Sequence, residues 1–403
     1  MNNKKIKVLH IITKLELGGA QQNTLYTVEN LNKEKFDVCL ISGCGGILDE
    51  KAKLISKTKN VKLFFVKNLI REINPIKDFI ALIELIILLN KIKPDIVHTH
   101  SSKAGILGRW ATFFVNVIYK IRNKKNVKII HTFHGFAFSA YHKFFIRWVY
   151  IFLEFFTAII SDKLIFVSND NIKTAKMYKI GNLKKYILIR SGIKISNFYV
   201  SDKDKSLRFL KKEELGILEA EKVITTIGPF KPQKNLSDFI KIAKIISDKL
   251  SEMKIRFLII GDGEQRNFLI SLSKKLNVEE KIKFLSWQKN VKEFLVITDI
   301  FVMTSLWEGL PRSAVEALVC GVPVVAYSVD GLNDIIKSGT NGFLVKPKDI
   351  FSLAEKIIFL LTNNEVYNNI KKNTTQTIDK SFDIDYMVLQ QENLYFELTS
   401  IIN

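Results

Sequence analysis

Two glutamates, Glu308 and Glu316, frame the run Glu308-Gly-Leu-Pro-Arg-Ser-Ala-Val-Glu316-Ala-Leu-Val-Cys-Gly-Val-Pro. A carboxylate accepts two hydrogen bonds at once, so each can hold neighbouring hydroxyls of a sugar or a ribose. The run follows a strand-like segment, Ile300 to Thr304. Pro311 falls where a first helical turn tolerates a missing N–H, and Gly321 falls where a helix stops. Glu308 is therefore expected in a strand-to-helix loop with Gly309, Leu310 and Pro311. Glu316 is expected in the helix that follows, near the carboxyl edge of a sheet, where open α/β folds bind ligands. Free N–H groups at that helix start suit a phosphate. Two isolated glutamates would as readily cap a helix and face solvent; the sixteen-residue context argues for a ligand.

A second run, Gly228-Pro-Phe-Lys231-Pro-Gln-Lys234-Asn235, lies between a predicted strand and a predicted helix. A cation there can neutralise charge developing on a departing diphosphate, an interaction strongest in the transition state. Lys234 suits that role, although a loop lysine standing alone is usually just solvated. Gly261-Asp-Gly263-Glu264 follows the strand Arg256 to Ile260, where Gly and Asp also make ordinary tight turns. In the first half, Leu17-Gly18-Gly19-Ala20 precedes a helix starting near Gln21, and its glycines let backbone N–H groups approach a phosphate or substrate closely. The third glycine of a dinucleotide fingerprint is missing, which disfavours a nicotinamide-dependent dehydrogenase. His98, His100, His131 and His134, four of the six histidines, end two adjacent strands. Each pair alternates along or straddles a strand end with no acidic ligand nearby, so no metal site is expected.

These runs resemble the retaining glycosyltransferases of family 4, of the bacterial surface-polysaccharide type, whose glutamate-x7-glutamate signature Glu308 and Glu316 match. The likeness continues through Gly321-Val-Pro-Val-Val, Asp330-Gly331 and Asn341-Gly342-Phe343-Leu344-Val345. The resemblance implies the GT-B architecture, α/β, with two Rossmann-like doubly wound domains facing across a cleft. It implies a nucleoside-diphosphate sugar as donor, with UDP as the nucleotide, and a lipid-linked saccharide or other cell-surface glycan precursor as acceptor. No metal or other cofactor is implied. By resemblance Glu308 lies at the donor sugar, Glu316 holds the ribose and His134 faces the donor sugar. Gly19, Lys231, Gly263, Gln288, Gly309, Leu310 and Pro311 are implied donor contacts, and His100 and Gly18 are implied on the acceptor side. Trp287, beside Gln288, is read as a core tryptophan. The family carries an arginine directly after the first glycine of the phosphate loop; this chain has Pro229, and Lys231 is expected to supply the cation. Front-face departure of the diphosphate follows, with no protein nucleophile.

Positioning these residues requires two α/β domains, and a chain of 403 residues is long enough to build two cores. Apolar runs are predicted as buried parallel strands at Lys7 to Ile12, Val38 to Ser42, Val61 to Val66, Asp95 to His100, Lys128 to Thr132 and Lys163 to Ser168. Helices are predicted between them at Gln21 to Leu31, Pro75 to Asn90 and Tyr141 to Ile160. A polar stretch, Asn197 to Glu214, reads as the junction. Alternation then resumes with strands at Lys222 to Ile227, Arg256 to Ile260, Lys281 to Leu285, Ile300 to Thr304 and Val322 to Tyr327, and helices at Ser237 to Leu250, Gln265 to Lys275, Arg312 to Val319 and Ile350 to Leu361. The expected domains are 1–200, binding the acceptor, and 201–380, binding the nucleotide sugar. Residues 381–403 are expected to form a helix returning to the first domain. The run Glu392 to Glu397 resembles a protease-tag remnant but is read as native.

Charge sharpens the picture. Residues 1–200 carry 33 basic and 13 acidic residues, a balance of +20, whereas residues 201–403 carry 28 and 27, a balance of +1. A basic half beside a neutral one suggests an anionic partner for the first domain only. The stretch from Gly135 to Ile160 places Phe144, Phe145, Trp148, Phe152, Phe155 and Phe156 at helical spacing, with Lys143, Arg147 and Glu154 on the other side. A broad buried face and an interfacial helix on anionic lipid are both open; the basic half favours the second. Glu84, Arg109, Arg147 and Glu154 interrupt the greasiest segments, so no membrane-spanning helix is expected. Cys39, Cys44 and Cys320 lack metal spacing and suit a reducing cytoplasm. A cytoplasmic protein peripheral on the inner face of the membrane is the resulting expectation. Nucleic acid is not an expected partner, because the aromatics are not interleaved with arginines on a sheet surface. A glycoside hydrolase would not need a diphosphate-binding cation. A sugar-nucleotide epimerase, a phosphorylase or a non-catalytic sugar-nucleotide-binding subunit stays open.

Overall fold

The computed structural model describes residues 5–136, 138, 144–201 and 203–400. The chain divides into two compact units, Met1–Gly192 with Ile384–Asn403, and Ile193–Asp383. The division falls at 192/193 rather than 200/201 because Ile193 is already stitched into the second unit, its N–H donating to the Phe382 carbonyl at 2.9 Å. Counted on these units, the first holds 32 basic and 16 acidic residues, +16, and the second 29 and 24, +5. The acidic residues of the C-terminal helix reduce the contrast without reversing it.

The first unit is built on seven parallel strands, β1 (Ile6–Ile12), β2 (Phe36–Ser42), β3 (Lys62–Phe65), β4 (Ile96–His100), β5 (Lys128–Phe133), β6 (Lys163–Phe166) and β7 (Tyr186–Leu188), in the order β3-β2-β1-β4-β5-β6-β7. Strand alternation splits β1 cleanly. Val8 and Ile12 join one core layer with Leu25, Val28, Phe36, Leu394 and Tyr395, while Leu9 and Ile11 join the opposite layer with Leu85, Leu89, Val97 and Val115. The three-residue β7 went unread because so short a segment carries no period. The helix Ile384–Ser400 supplies part of the first layer: Glu392 accepts from the Asn32 N–H at 2.7 Å, Asp385 accepts from the Tyr26 hydroxyl, and Tyr395 is fully buried. The run Glu392 to Glu397 is thus an integral part of this core.

The second unit has six parallel strands, β8 (Lys222–Ile227), β9 (Ile255–Ile260), β10 (Ile282–Leu285), β11 (Ile300–Met303), β12 (Val324–Tyr327) and β13 (Gly342–Val345), in the order β10-β9-β8-β11-β12-β13. The polar stretch read as a junction contains a helix, Lys203–Glu214, that belongs to this unit. Its sequence reads as polar, yet Lys212 is buried, its ammonium donating to the carbonyls of Glu219 at 2.6 Å and Glu221 at 3.0 Å. Leu207 meanwhile packs against Ile217, Val223, Leu258 and Ile297. In both units the predicted site residues cluster in loops that follow strand carboxyl ends.

Candidate active site

Two loops of the second unit are bound together at the ends of β8 and β11. Leu306 N–H donates to the Gln233 carbonyl at 2.9 Å, the Gln233 amide to the Trp307 carbonyl at 2.7 Å, and the Thr304 hydroxyl to the Lys234 carbonyl at 3.0 Å. This lacing brings the Lys234 ammonium directly onto the Glu308 carboxylate. The pair is largely buried, with 14% and 8% of the two side chains exposed. Gly228 permits the approach, because a Cβ there would lie 3.2 Å from Lys234 Cε. Glu308 is fixed again from behind, its own N–H donating to Asp330 Oδ2 at 2.7 Å. Gly331 has to be glycine, since a Cβ would sit 2.1 Å from the Gly309 carbonyl oxygen. Asp330 was read only as part of a run; its hold on the Glu308 loop is visible only in three dimensions.

An ammonium has three donors. One is committed to Glu308, so two are left for the oxygens of a diphosphate. Lys231 stands at the start of the short 3-10 turn Pro232–Lys234, half-buried and with no acidic partner among the described residues. The loop carrying Gly263 is tied to the same place: Phe230 N–H donates to the Asp262 carbonyl at 3.0 Å and Gln265 N–H to the Phe230 carbonyl at 3.1 Å. Leu310 and Pro311 close the Glu308 loop, with Pro311 as the residue preceding the helix Arg312–Val319 rather than its first residue. Glu316 lies on that helix, its carboxylate 3.8 Å from Arg312, only 12% exposed, and burial raises its pKa above the ordinary carboxylate value. Trp287 is 41% exposed, so it is not a core tryptophan. Its neighbour Gln288 is held in the same loop by its amide donating to the Ser286 carbonyl at 3.2 Å.

In the first unit Gly18 precedes the helix Gly19–Asn30, and a Cβ on Gly18 would meet Gln21 Oε1 at 2.6 Å. His100 ends β4 and His134 follows β5. They form part of a buried network: His10 Nδ1 lies 3.0 Å from His100 Nε2, and His100 Nδ1 lies 3.2 Å from His134 Nε2. His98 bonds Tyr395 at 2.6 Å and Thr132 at 2.7 Å. Burial holds all of these rings neutral, lowering His10 to about 3 and His134 to about 4, with His98 and His100 well below the usual range. Ligand atoms of His10, His98 and His100 come within 4.8 Å of one another. Both nitrogens of His98 are already hydrogen-bonded, whereas His10 Nε2 and His134 Nδ1 have no hydrogen-bond partner among the described residues. His10 was not singled out from the sequence; its place opposite His98 in the β1–β4 register is what recruits it.

The aromatic helix, described from Phe144 to Ile159, is inverted in polarity. Phe144 and Phe145 are 77% exposed, and Trp148, Phe152 and Phe156 are also exposed, whereas Glu154 is buried on Arg109 at 2.6 Å and Arg147 bonds the Tyr178 hydroxyl. Arg147 and Glu154 therefore face the protein rather than solvent. Tyr141 and Lys143 lie outside the described residues. The helix Pro75–Ile92 adds exposed Ile76, Phe79, Ile80, Ile83 and Ile87, an apolar surface the strand-and-helix reading did not register. No helix among the described residues is long and apolar enough to cross a membrane.

Two family descriptions match the two halves: Glycosyltransferase Family 4 at residues 17–195 and Glycosyl transferases group 1 at residues 208–377. Over 397 residues, 98% of both chains, the sequence is 33% identical to the UDP-Gal:alpha-D-GlcNAc-diphosphoundecaprenol alpha-1,3-galactosyltransferase of Escherichia coli. It is 24% identical to the capsular polysaccharide biosynthesis glycosyltransferase CapM of Staphylococcus aureus, over 97% of each chain. Among solved structures, Anabaena HepE in complex with UDP-glucose superposes with a TM-score of 0.78 at 20% identity, covering 96% of this chain and 99% of that one, which establishes the GT-B fold. With a full-length relative above 30% identity and both halves matched, the chain belongs to glycosyltransferase family 4 and is a glycosyltransferase.

Proposed function

We propose that the protein transfers a sugar, with retention of configuration, from a UDP-sugar to a lipid-diphosphate-linked saccharide at the cytoplasmic face of the membrane. The observation that carries this reading is the Lys234–Glu308 pair, where a cation and a carboxylate are presented together at the end of a Rossmann-like sheet. The substrate class follows the Escherichia coli relative, which matches along the whole chain and whose name specifies a UDP-sugar and a diphosphoundecaprenol acceptor. Glu308 would hold the donor sugar's hydroxyls, and the two free donors of Lys234, joined by Lys231, would meet the charge that grows on the leaving diphosphate. With those cations in place, departure of the diphosphate would proceed without a metal. Glu316 would take the ribose, Gly19, Gly263, Gln288, Gly309, Leu310 and Pro311 would line the donor, and His134 would face the sugar, with Gly18 and His100 towards the acceptor.

The exposed apolar surfaces of Pro75–Ile92 and Phe144–Ile159, on the unit that carries +16, support a seat on anionic lipid. Such a seat would bring a water-borne donor to a lipid-bound acceptor without a membrane-spanning helix.

The test is a UDP-sugar panel with undecaprenyl-diphosphate-linked GlcNAc as acceptor. One donor is expected to yield UDP and a lipid-linked disaccharide, and Glu308→Gln and Lys234→Ala are expected to lower both by about 10²-fold or more. UDP release unchanged by the two substitutions removes the site assignment. Conversion of the sugar nucleotide without transfer to lipid would instead mark an epimerase.

A further inference from the structure

Five of the six histidines lie in or beside one sheet of the first unit, and three of them form an unbroken chain from β1 across β4 to the end of β5. His10, His100 and His134 are joined nitrogen to nitrogen, with the first two rings stacked at an interplanar angle of 10°. A neutral imidazole carries one N–H and one bare nitrogen. A chain of three such rings has only two fully bonded states. Either His10 donates to His100 and His100 to His134, which leaves His134 Nδ1 as a donor, or every bond runs the other way and His134 Nδ1 is an acceptor. The two ends, His10 Nε2 and His134 Nδ1, are buried and have no hydrogen-bond partner among the described residues.

His134 is one of the residues that line a small pocket, together with Asn23, Thr27, His100, Arg190 and Gln391. Asn23 also stands there with both amide atoms buried and unpartnered among the described residues. Buried polar atoms left without partners are costly, and a cluster of them beside a pocket marks a place for a polar ligand group.

We propose that His10, His100 and His134 act as one tautomeric relay, in which a hydroxyl or ring oxygen of the transferred sugar, seated on His134 Nδ1, sets the protonated nitrogen of all three rings. The sugar's identity as ligand rests on the function proposed above; the coupling of the rings does not. His10 and His100 are then positioning residues: they decide whether His134 meets the sugar as donor or acceptor. His98, anchored to Tyr395 and Thr132, holds its ring beside those of His10 and His100.

The experiment is nitrogen-15 NMR of histidine-labelled full-length protein, which distinguishes a protonated from a bare ring nitrogen. It compares the wild type with His10→Leu, which removes the first link, and His10→Asn, whose amide reaches the position of Nδ1. Folding of each is checked by circular dichroism. The wild type is expected to show correlated tautomers at His10, His100 and His134, His10→Leu to change the tautomer ratio at His134, and His10→Asn to restore it. A His134 ratio identical in the wild type and His10→Leu overturns the relay. In the transfer assay His10→Leu is expected to lower kcat about tenfold, the scale of one misplaced hydrogen bond, with donor KM within about twofold and rescue by His10→Asn. Unchanged kcat alongside a changed ratio overturns the positioning role. If His134→Ala also leaves transfer intact, it is the sugar-facing role of His134 that fails, while the NMR result still judges the relay.

Discussion

In the second unit the groups assigned to chemistry, Glu316 on its helix apart, sit in loops cross-linked to one another, and the sheet beneath them is ordinary apolar β-structure. In the first unit the polar groups of interest are inside the sheet itself, on β1, β4 and β5, while the apolar residues of two helices face outward. The first arrangement suits a site that must hold a highly charged ligand, because loop backbone and paired side chains can present charge without burying it alone. The second would suit a unit that, on the function proposed above, meets uncharged sugar hydroxyls and a lipid surface. All six histidines belong to the first unit, so the two units should also respond differently to acid.

The largest effect that should separate them is catalytic. Lys234→Ala is expected to lower kcat by about 10²- to 10³-fold, the range seen when one preorganised transition-state donor is removed, with donor KM changed far less. His134→Ala in the first unit should cost roughly tenfold, as loss of one neutral hydrogen bond. Equal losses, read by single-turnover transfer, would erase the division of labour between the units.

Acid stability is the next contrast. The folded-state pKa of His134 is lowered from 6.5 to about 4 and that of His10 to about 3, so the unfolded chain binds protons that the folded unit cannot. Stability from these rings is therefore complete above pH 6.5 and is lost as pH falls from there towards their folded values, on the order of 3 kcal/mol for His134 alone. The second unit has no histidine, and its hydrogen-bonded carboxylates such as Glu293 and Asp204 are lowered, so their contribution is lost only below about pH 4. Hydrogen exchange at pH 7 and pH 5 is expected to show β1, β4 and β5 deprotected at the lower pH and β8, β9 and β11 unchanged. Uniform loss across both units would break the comparison.

A third contrast is partition onto lipid. Replacing Phe144, Trp148 and Phe152 together by serine is expected to reduce sedimentation with anionic liposomes by tenfold or more, since each removes exposed apolar area worth on the order of 1 kcal/mol on insertion. Phe268→Ser with Phe351→Ser, equally exposed on the second unit, should leave it unchanged. Binding should also weaken with salt.

The same division explains what the sequence disclosed. The second unit was legible because its site is local: a strand, a glycine, a lysine six residues on, then a glutamate pair at fixed spacing, each readable without knowing what lies across the sheet. The strand pattern there needed only buried apolar runs. The junction helix Lys203–Glu214 was missed because a buried lysine mimics a solvated one in any count of polar residues. The contacts themselves are distant in both units, Lys234 with Glu308 across 74 positions and His10 with His100 across 90, but in the first unit no short motif marks the residues that meet. The aromatic helix was legible as amphipathic and the basic half favoured an outward aromatic face, but the inward facing of Glu154 and Arg147 was not legible, because Arg109 and Tyr178, which receive them, lie far off in sequence.

The smallest effect is the most discriminating within the second unit. Glu316 and Glu308 share a signature but differ in partner: Glu308 holds an ammonium directly, whereas Glu316 has Arg312 at 3.8 Å, beyond hydrogen-bond range, and is left with a pKa raised by burial. A carboxylate so poised needs its oxygens more than its charge to hold a ribose. Glu316→Gln, which keeps one acceptor, should therefore raise donor KM only about threefold with kcat unchanged, while Glu316→Leu should raise it tenfold or more. Because its pKa is raised, Glu316 takes up a proton at higher pH than an ordinary glutamate. Donor KM of the wild type should accordingly climb as pH falls towards 5, and that climb should vanish in Glu316→Gln. A wild-type KM that climbs far more than about threefold over that range, with Glu316→Gln as damaging as Glu316→Leu, would mean that the second glutamate's charge is what the donor requires.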